Sequence, residues 1–221
     1  MNNFFKILPL NTPKVKTIMP PSQSTPARIY LLLYNSISAL LWLRILVTVL
    51  SSTSDTPESV YTILEPQARW TQTLAVVEIL HSATGLTRSP IFTTFTQIFA
   101  RSVQVWAINN AFPGATAPSP AYPAMLLAWS SADAVRYSYF AVLQAGFRVP
   151  GLLKWLRYSL FMGLYPVGIA SEWWLMYRAM GVTDNMLVKG IFCFFLGLYA
   201  PGSVMMYSYM LKQRRKTLRK E

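Results

Sequence analysis

The sequence predicts an all-α, polytopic membrane protein, a bundle of six transmembrane helices. Hydrophobic residues make up 53% of the 221 and aromatics 14%, with a mean hydropathy of +0.33 although both ends are polar. That is too apolar for an ordinary soluble domain. The apolar residues fall in blocks of about 20, the length that crosses a bilayer core. The net charge of +12 could suggest nucleic acid, but Lys and Arg gather on alternate connections, which marks membrane topology instead.

Residues 1–27 are basic (Lys6, Lys14, Lys16) and proline-rich, with no apolar run long enough for a signal-peptide core. They read as a mobile or surface-lying arm, with the first span acting as the insertion signal. The membrane domain then covers 28–211, and 212–221 is a basic cytosolic tail. Six spans are expected, at 29–50, 72–87, 91–110, 122–145, 152–177 and 185–210. Glu78, His81 and several threonines interrupt the second, which makes sense only as a helix facing protein. Turn-rich pieces, Ser51–Glu58, Thr87–Pro90 and Asn109–Pro120, punctuate the spans.

Orientation follows from the basic residues. One side holds Lys6, Lys14, Lys16, Arg28, Arg88, Arg148, Lys154, Arg157, Lys212, Arg214, Arg215, Lys216, Arg219 and Lys220. The other holds only Arg69, Arg178 and Lys189, with Asp55, Glu58, Glu65 and Asp184. This bias places both termini in the cytosol and removes most of the case for nucleic acid.

The fifth span carries the sequence's most informative stretch, from Leu160 to Trp174. Tyr165 and Glu172 lie two helical turns apart, so both project from nearly one face, about 10 Å apart along the axis. A carboxylate within a membrane helix costs roughly 2.5–3.5 kcal/mol on insertion scales, so it normally points into the bundle and is a functional candidate. A hydrogen bond to another helix is the plainer alternative. Pro166 removes a backbone donor and is expected to kink the helix, while Gly163 and Gly168 let neighbours approach.

The remaining intramembrane polar groups are Arg44, Glu78, His81, Arg101, Asp133 and Arg136. Asp133 and Arg136 can pair locally at i,i+3. Trp129, Asp133, Arg136 and Phe140 form one inward stripe. An ion pair between Arg101 and Glu78, and a buried hydrogen bond for His81, are the expected structural roles. With one cysteine, Cys193, and one histidine, neither an intramolecular disulfide nor a cysteine metal cluster can form, and Cys193 reads as apolar filler. A glutamate that accepts a proton and a tyrosine that donates one suit an elimination that runs on acid–base residues alone.

The segment Tyr165-Pro-Val-Gly-Ile-Ala-Ser-Glu172 resembles the Tyr-Pro-x-Gly-x-x-x-Glu motif of the very-long-chain 3-hydroxyacyl-CoA dehydratases, formerly the protein tyrosine phosphatase-like family. Further matches in register are Glu78-Ile-Leu-His81 with Gly85, Gln97 with Arg101, Trp129 with Arg136-Tyr137, Trp155-Leu-Arg157-Tyr158, and Tyr209 to Lys216. The similarity covers about residues 29–218. It implies an endoplasmic-reticulum enzyme for the third step of fatty-acid elongation, which converts a (3R)-3-hydroxyacyl-CoA into a trans-2-enoyl-CoA and water without a cofactor. Its partners would be the acyl-CoA, the lipid bilayer, and the elongase, ketoacyl-CoA reductase and enoyl-CoA reductase.

The family's catalytic pair maps onto Tyr165 and Glu172. Arg136, or secondarily Arg101, would orient the pair or stabilise an enolate-like oxygen, with Tyr137 in support. Arg148, Lys154 and Arg157 would attract the anionic CoA. Asp133 and Phe140 stand where Glu and Tyr are expected, and Ser171 where Gly is common. The old phosphatase label lacks its chemistry, since Cys193 has no phosphate loop and no following arginine. A small transporter and a non-catalytic scaffold for the elongation machinery are the alternative readings.

Overall fold

The computed structural model describes residues 24–218, where every regular element is helical. Most of the expected N-terminal arm therefore lies outside the described residues. Helix α1 (Thr25–Ser51) opens with a proline in its first turn, where the missing N–H costs nothing. Its outward face is aliphatic at three- and four-residue spacing, and Leu33, Ile37, Leu40, Val47 and Leu50 stand 52–66% exposed. Its buried face sets Asn35 and Ser38 among Leu31, Tyr34, Trp42, Ile45 and Val49. A helix with so long an exposed aliphatic face and polar residues on its buried side suits lipid, not water, around it. Among the described residues, two helices are long and apolar enough to cross a membrane, α1 and the stretch Met186–Arg215 of the last helix. The other expected spans are divided into shorter helices or carry polar groups such as Glu78, Arg101, Asp133 and Glu172, which lower their hydropathy.

The second expected span begins much earlier than 72. Helix α2 (Pro57–Leu74) is started by Thr56, whose side chain accepts from the Ser59 N–H, with Pro57 and Glu58 in its first turn. It turns Val60, Leu64 and Ala68 inward while Glu65 and Arg69 pair at 2.9 Å. Arg69 thus belongs to a helix rather than to a connection. After a turn at Ala75–Val76, α3 (Val77–Ala83) carries Glu78 and His81.

Helix α4 (Ile91–Val103) continues into a π-helical segment, Gln104–Asn110. The stretch expected as a turn-rich loop, Asn109–Pro120, is folded inward. Asn109 and Ser119 are buried, and α5 (Pro113–Thr116) lies between them. The Asn109 carbonyl, freed by the wider π turn, accepts from Tyr61 Oη at 2.6 Å and Thr116 Oγ1 at 3.2 Å.

Helix α6 (Ala121–Ala145) ends at Gly146, left-handed at φ 84°. The Gly146 and Phe147 N–H groups return to the Leu143 and Val142 carbonyls at 3.2 and 3.3 Å, the Schellman pattern. Arg28 donates to the Gln144 carbonyl, so the start of α1 meets the end of α6 and the two run antiparallel. The fifth expected span is two helices, α7 (Gly151–Ser159) and α8 (Phe161–Val182). The interruption falls at Leu160, whose carbonyl takes both the Gly163 and Leu164 N–H groups, and α8 then runs on through Pro166. Helix α9 (Met186–Leu218) passes through Pro201 and continues well into the basic segment expected as a tail.

Helix α6 is the centre of the bundle, with α1 along one side and α8 along the other. Helix α9 leans on α8 and α7, while α2 and the π segment close the remaining flank. Cys193 stands on the outer surface of α9 instead of filling an interior. Nothing lies within 4 Å of the Cβ position at Gly163, so no neighbour approaches there, whereas Gly168 faces Ala128 and Trp129.

Candidate active site

Tyr165 and Glu172 come from one face of α8 and meet α9 one turn apart. The Tyr165 hydroxyl donates to the Ser203 carbonyl at 3.5 Å, and its ring stacks on Tyr207 with centroids 5.9 Å apart. The Glu172 carboxylate is buried between three helices. Trp129 of α6 donates its indole N–H to Oε1 at 2.7 Å, and Tyr199 of α9 donates its hydroxyl to Oε2 at 3.0 Å. Among the described residues, no arginine or lysine forms an ion pair with this carboxylate.

That sets Glu172 apart. Among the described carboxylates, Glu65 pairs with Arg69, Glu78 with Arg136, and Asp133 with Arg101 and Arg136, while Asp55, Glu58 and Asp184 are exposed. A buried carboxylate with a structural role is normally neutralised by a cation. Glu172 is held by two neutral donors that fix its orientation and leave its charge uncompensated by direct contact.

The cations lie one layer away. Arg101 of α4 reaches Asp133 at 2.6 Å, and Asp133 in turn accepts from Arg136 Nε at 3.0 Å. Arg136 also forks onto Glu78 at 2.9 and 3.3 Å. Tyr137 and Tyr34 donate hydroxyls to the same Glu78 oxygen. Two positive and two negative charges alternate along this chain, so the layer is neutral as a whole. The expected Arg101–Glu78 pair does not form; each finds its partner on α6 instead, Arg101 on Asp133 and Glu78 on Arg136. The local Asp133–Arg136 bond is present, and buried His81 bonds Tyr30 Oη at 2.8 Å.

Trp129 joins the two layers. Its N–H holds Glu172 while the Arg101 guanidinium lies 4.0 Å from the centroid of its ring, a cation–π contact. Arg101 is therefore the arginine closest to the pair, whereas Arg136 and Tyr137 are committed to Glu78. Phe140 packs under Arg157, whose guanidinium lies 4.4 Å from its ring centroid.

Of the three residues expected to attract CoA, Arg148 is exposed in the connection after α6 and Lys154 is half-buried on α7. Arg157 lies over Tyr139, Phe140 and Tyr158 at 4.4–5.6 Å, so its guanidinium is largely occupied by packing. Sequence reasoning missed Tyr199. Its one signal was a polar-tipped ring ending the apolar run Phe194-Phe-Leu-Gly-Leu-Tyr199.

A groove of about 440 Å³ runs along the α8–α9 seam, lined by Pro166, Ile169, Ala170, Trp173, Trp174, Tyr199, Ala200 and Ser203. Among the described residues no cluster of His, Cys, Asp and Glu is arranged to hold a metal.

A family model described as "Protein tyrosine phosphatase-like protein, PTPLA" matches residues 72–220. The "Probable very-long-chain (3R)-3-hydroxyacyl-CoA dehydratase" of Schizosaccharomyces pombe is 37% identical over 192 residues, 85% of this chain and 91% of the relative. The dehydratase PASTICCINO 2 of Arabidopsis thaliana is 37% identical over 213 residues, 89% and 96% of the two chains. The human very-long-chain (3R)-3-hydroxyacyl-CoA dehydratase 2 is 30% identical over 209 residues, 87% and 82%. No solved structure matches.

Proposed function

Because the chain belongs to the protein tyrosine phosphatase-like (PTPLA) family, we propose that it is a lyase that dehydrates very-long-chain (3R)-3-hydroxyacyl-CoA to trans-2-enoyl-CoA and water. The observation that carries this reading is Glu172, the one buried carboxylate among the described residues with no ion pair. We assign it to the C2 proton and Tyr165 to the leaving 3-hydroxyl. As Glu172 takes the proton, the C2–H electrons form the C2=C3 bond and the C3–O bond breaks. The departing oxygen receives the Tyr165 proton and leaves as water. A proton passing from Glu172 to the Tyr165 phenolate then restores both groups. General acid–base groups each contribute about 10²–10⁴-fold.

The supporting residues divide by distance. Trp129 and Tyr199 orient the carboxylate, and Arg101 acts on it through the Trp129 ring. The charged layer around Arg136 serves mainly to hold α3, α4 and α6 together.

We read six crossings in the bundle: α1, α2 with α3, α4 with its π segment, α6, α7 with α8, and α9. The contact of Arg28 with the end of α6 and of Arg214 with Ser159 at 3.2 Å gathers basic residues at one end of the bundle. That end would face the cytosol at the endoplasmic reticulum, with CoA near Arg148 and Lys154. A ketoacyl-CoA reductase would supply the substrate and an enoyl-CoA reductase would consume the product, in a cycle opened by an elongase.

The test is turnover of a 3-hydroxyacyl-CoA by purified Glu172→Gln and Tyr165→Phe proteins, followed by mass spectrometry for loss of water. Each kcat should fall by about 10²–10⁴-fold. Well-folded Glu172→Gln protein working at the wild-type rate would refute the assignment.

A further inference from the structure

We propose that the α8–α9 groove holds the acyl chain of the substrate and that the chain enters it sideways from the bilayer. This rests on the dehydratase reading and adds where the tail lies. Two groove residues tie it to the candidate pair: Tyr199 bonds the Glu172 carboxylate, and the Ser203 carbonyl receives the Tyr165 hydroxyl. A chain lying in the groove therefore runs one hydrogen bond away from each member of the pair.

The rest of the lining is Pro166, Ile169, Ala170, Ala200 and the two tryptophans, which suits a hydrocarbon and offers no charge to the phosphates of CoA. Its volume of about 440 Å³ lies in the usual range for a small-molecule site. Ala170 and Ala200 are both exposed, one on each helix, and their small side chains leave the mouth open. Next in sequence to the lining residues Pro166 and Ser203, Val167 and Val204 stand 43% and 67% exposed, apolar surface suited to lipid.

The direction of the chain follows from α8. Its early turns lie toward the basic end of the bundle and its later turns toward the opposite end. With CoA at the basic end, the reacting carbons reach Tyr165 and Glu172 and the tail continues past Ile169 to Trp173. Trp173 is braced there by stacking on Tyr177, centroids 5.4 Å apart. The seam can also yield: α9 has little of its apolar stretch buried and is held mainly by α8 and α7.

The experiment compares 3-hydroxyicosanoyl-CoA with 3-hydroxybutyryl-CoA on protein in lipid nanodiscs. Ala200→Trp and Ala170→Trp each fill the groove, and the long-to-short ratio of kcat/KM should fall about tenfold or more, the scale of discrimination an apolar pocket provides. An unchanged ratio would show that the groove holds only bilayer lipid and would overturn the proposal. A second measurement does not depend on those variants folding. A 3-hydroxyacyl-CoA with a diazirine in mid-chain is cross-linked to the Glu172→Gln protein and the adducts are mapped. Labels on Ile169, Trp173 or Ala200 support the groove; labels confined to other faces, such as that of Leu41 and Trp70 between α1 and α2, overturn it. Turnover by Glu172→Gln would sink the catalytic assignment alone, because the adduct map still reports where the chain lies.

Discussion

Replacing Tyr199 by phenylalanine removes one hydroxyl and leaves the ring in the seam. The hydroxyl is one of two donors to Glu172, at 3.0 Å, and the Trp129 N–H at 2.7 Å remains. A hydrogen bond to a charged group contributes about 1.5–3 kcal/mol. At 1.36 kcal/mol per decade, losing it should lower kcat by about 10- to 150-fold if the bond serves to aim the carboxylate. KM should change little, since the groove keeps its shape. The assay is steady-state dehydration in nanodiscs, with thermal unfolding measured alongside. Groups acting as a unit are non-additive, so Tyr199→Phe in a Glu172→Gln background should cost little more. A wild-type kcat for Tyr199→Phe, or a full multiplication of the two effects, would refute the reasoning.

Three further outcomes follow from the charged layer, the connections and the termini. Asp133→Asn strips Arg101 and Arg136 of a shared buried partner and should destabilise the protein by about 3–5 kcal/mol, read as a lowered unfolding temperature in detergent; an unchanged temperature would show that the layer is not structural. A glycosylation sequon placed at Thr53–Asp55, in the connection between α1 and α2, should be modified, while one placed over Ala115–Ala117 should stay bare because that segment is folded in. Tags at both termini should be open to protease in sealed microsomes, and a protected C-terminus would overturn the six-crossing reading.

The site's axis was legible because it is local: Tyr165 and Glu172 sit on one helix, and helical spacing alone puts them on one face. Trp129 was visible as part of an inward stripe, but not as the donor to Glu172. Tyr199 was hidden because its partner lies on a different helix, and an aromatic at the end of an apolar run normally reads as packing. The exchange of partners among Glu78, Arg101, Asp133 and Arg136 depends on which helices flank α6, and spacing within a helix carries no such information. Helix α2 escaped notice for another reason. It is too polar for a hydropathy window, and its start signal, Thr56-Pro57-Glu58, resembles a loop. The break at Leu160 went unread because no proline or glycine marks it, while Pro166, where a kink is expected, lies within the unbroken α8.

The groove along α8 and α9 opens toward hydrocarbon, and this changes what concentration means for the enzyme. A substrate arriving through that opening is drawn from a two-dimensional solvent, so its supply is set by its mole fraction among the surrounding lipids. Adding inert phospholipid at constant total substrate would thin that supply just as adding buffer thins a solute for a soluble enzyme. Longer tails partition more completely into the leaflet. Part of any preference for very long chains would then belong to the membrane, before a single side chain of the protein has been touched.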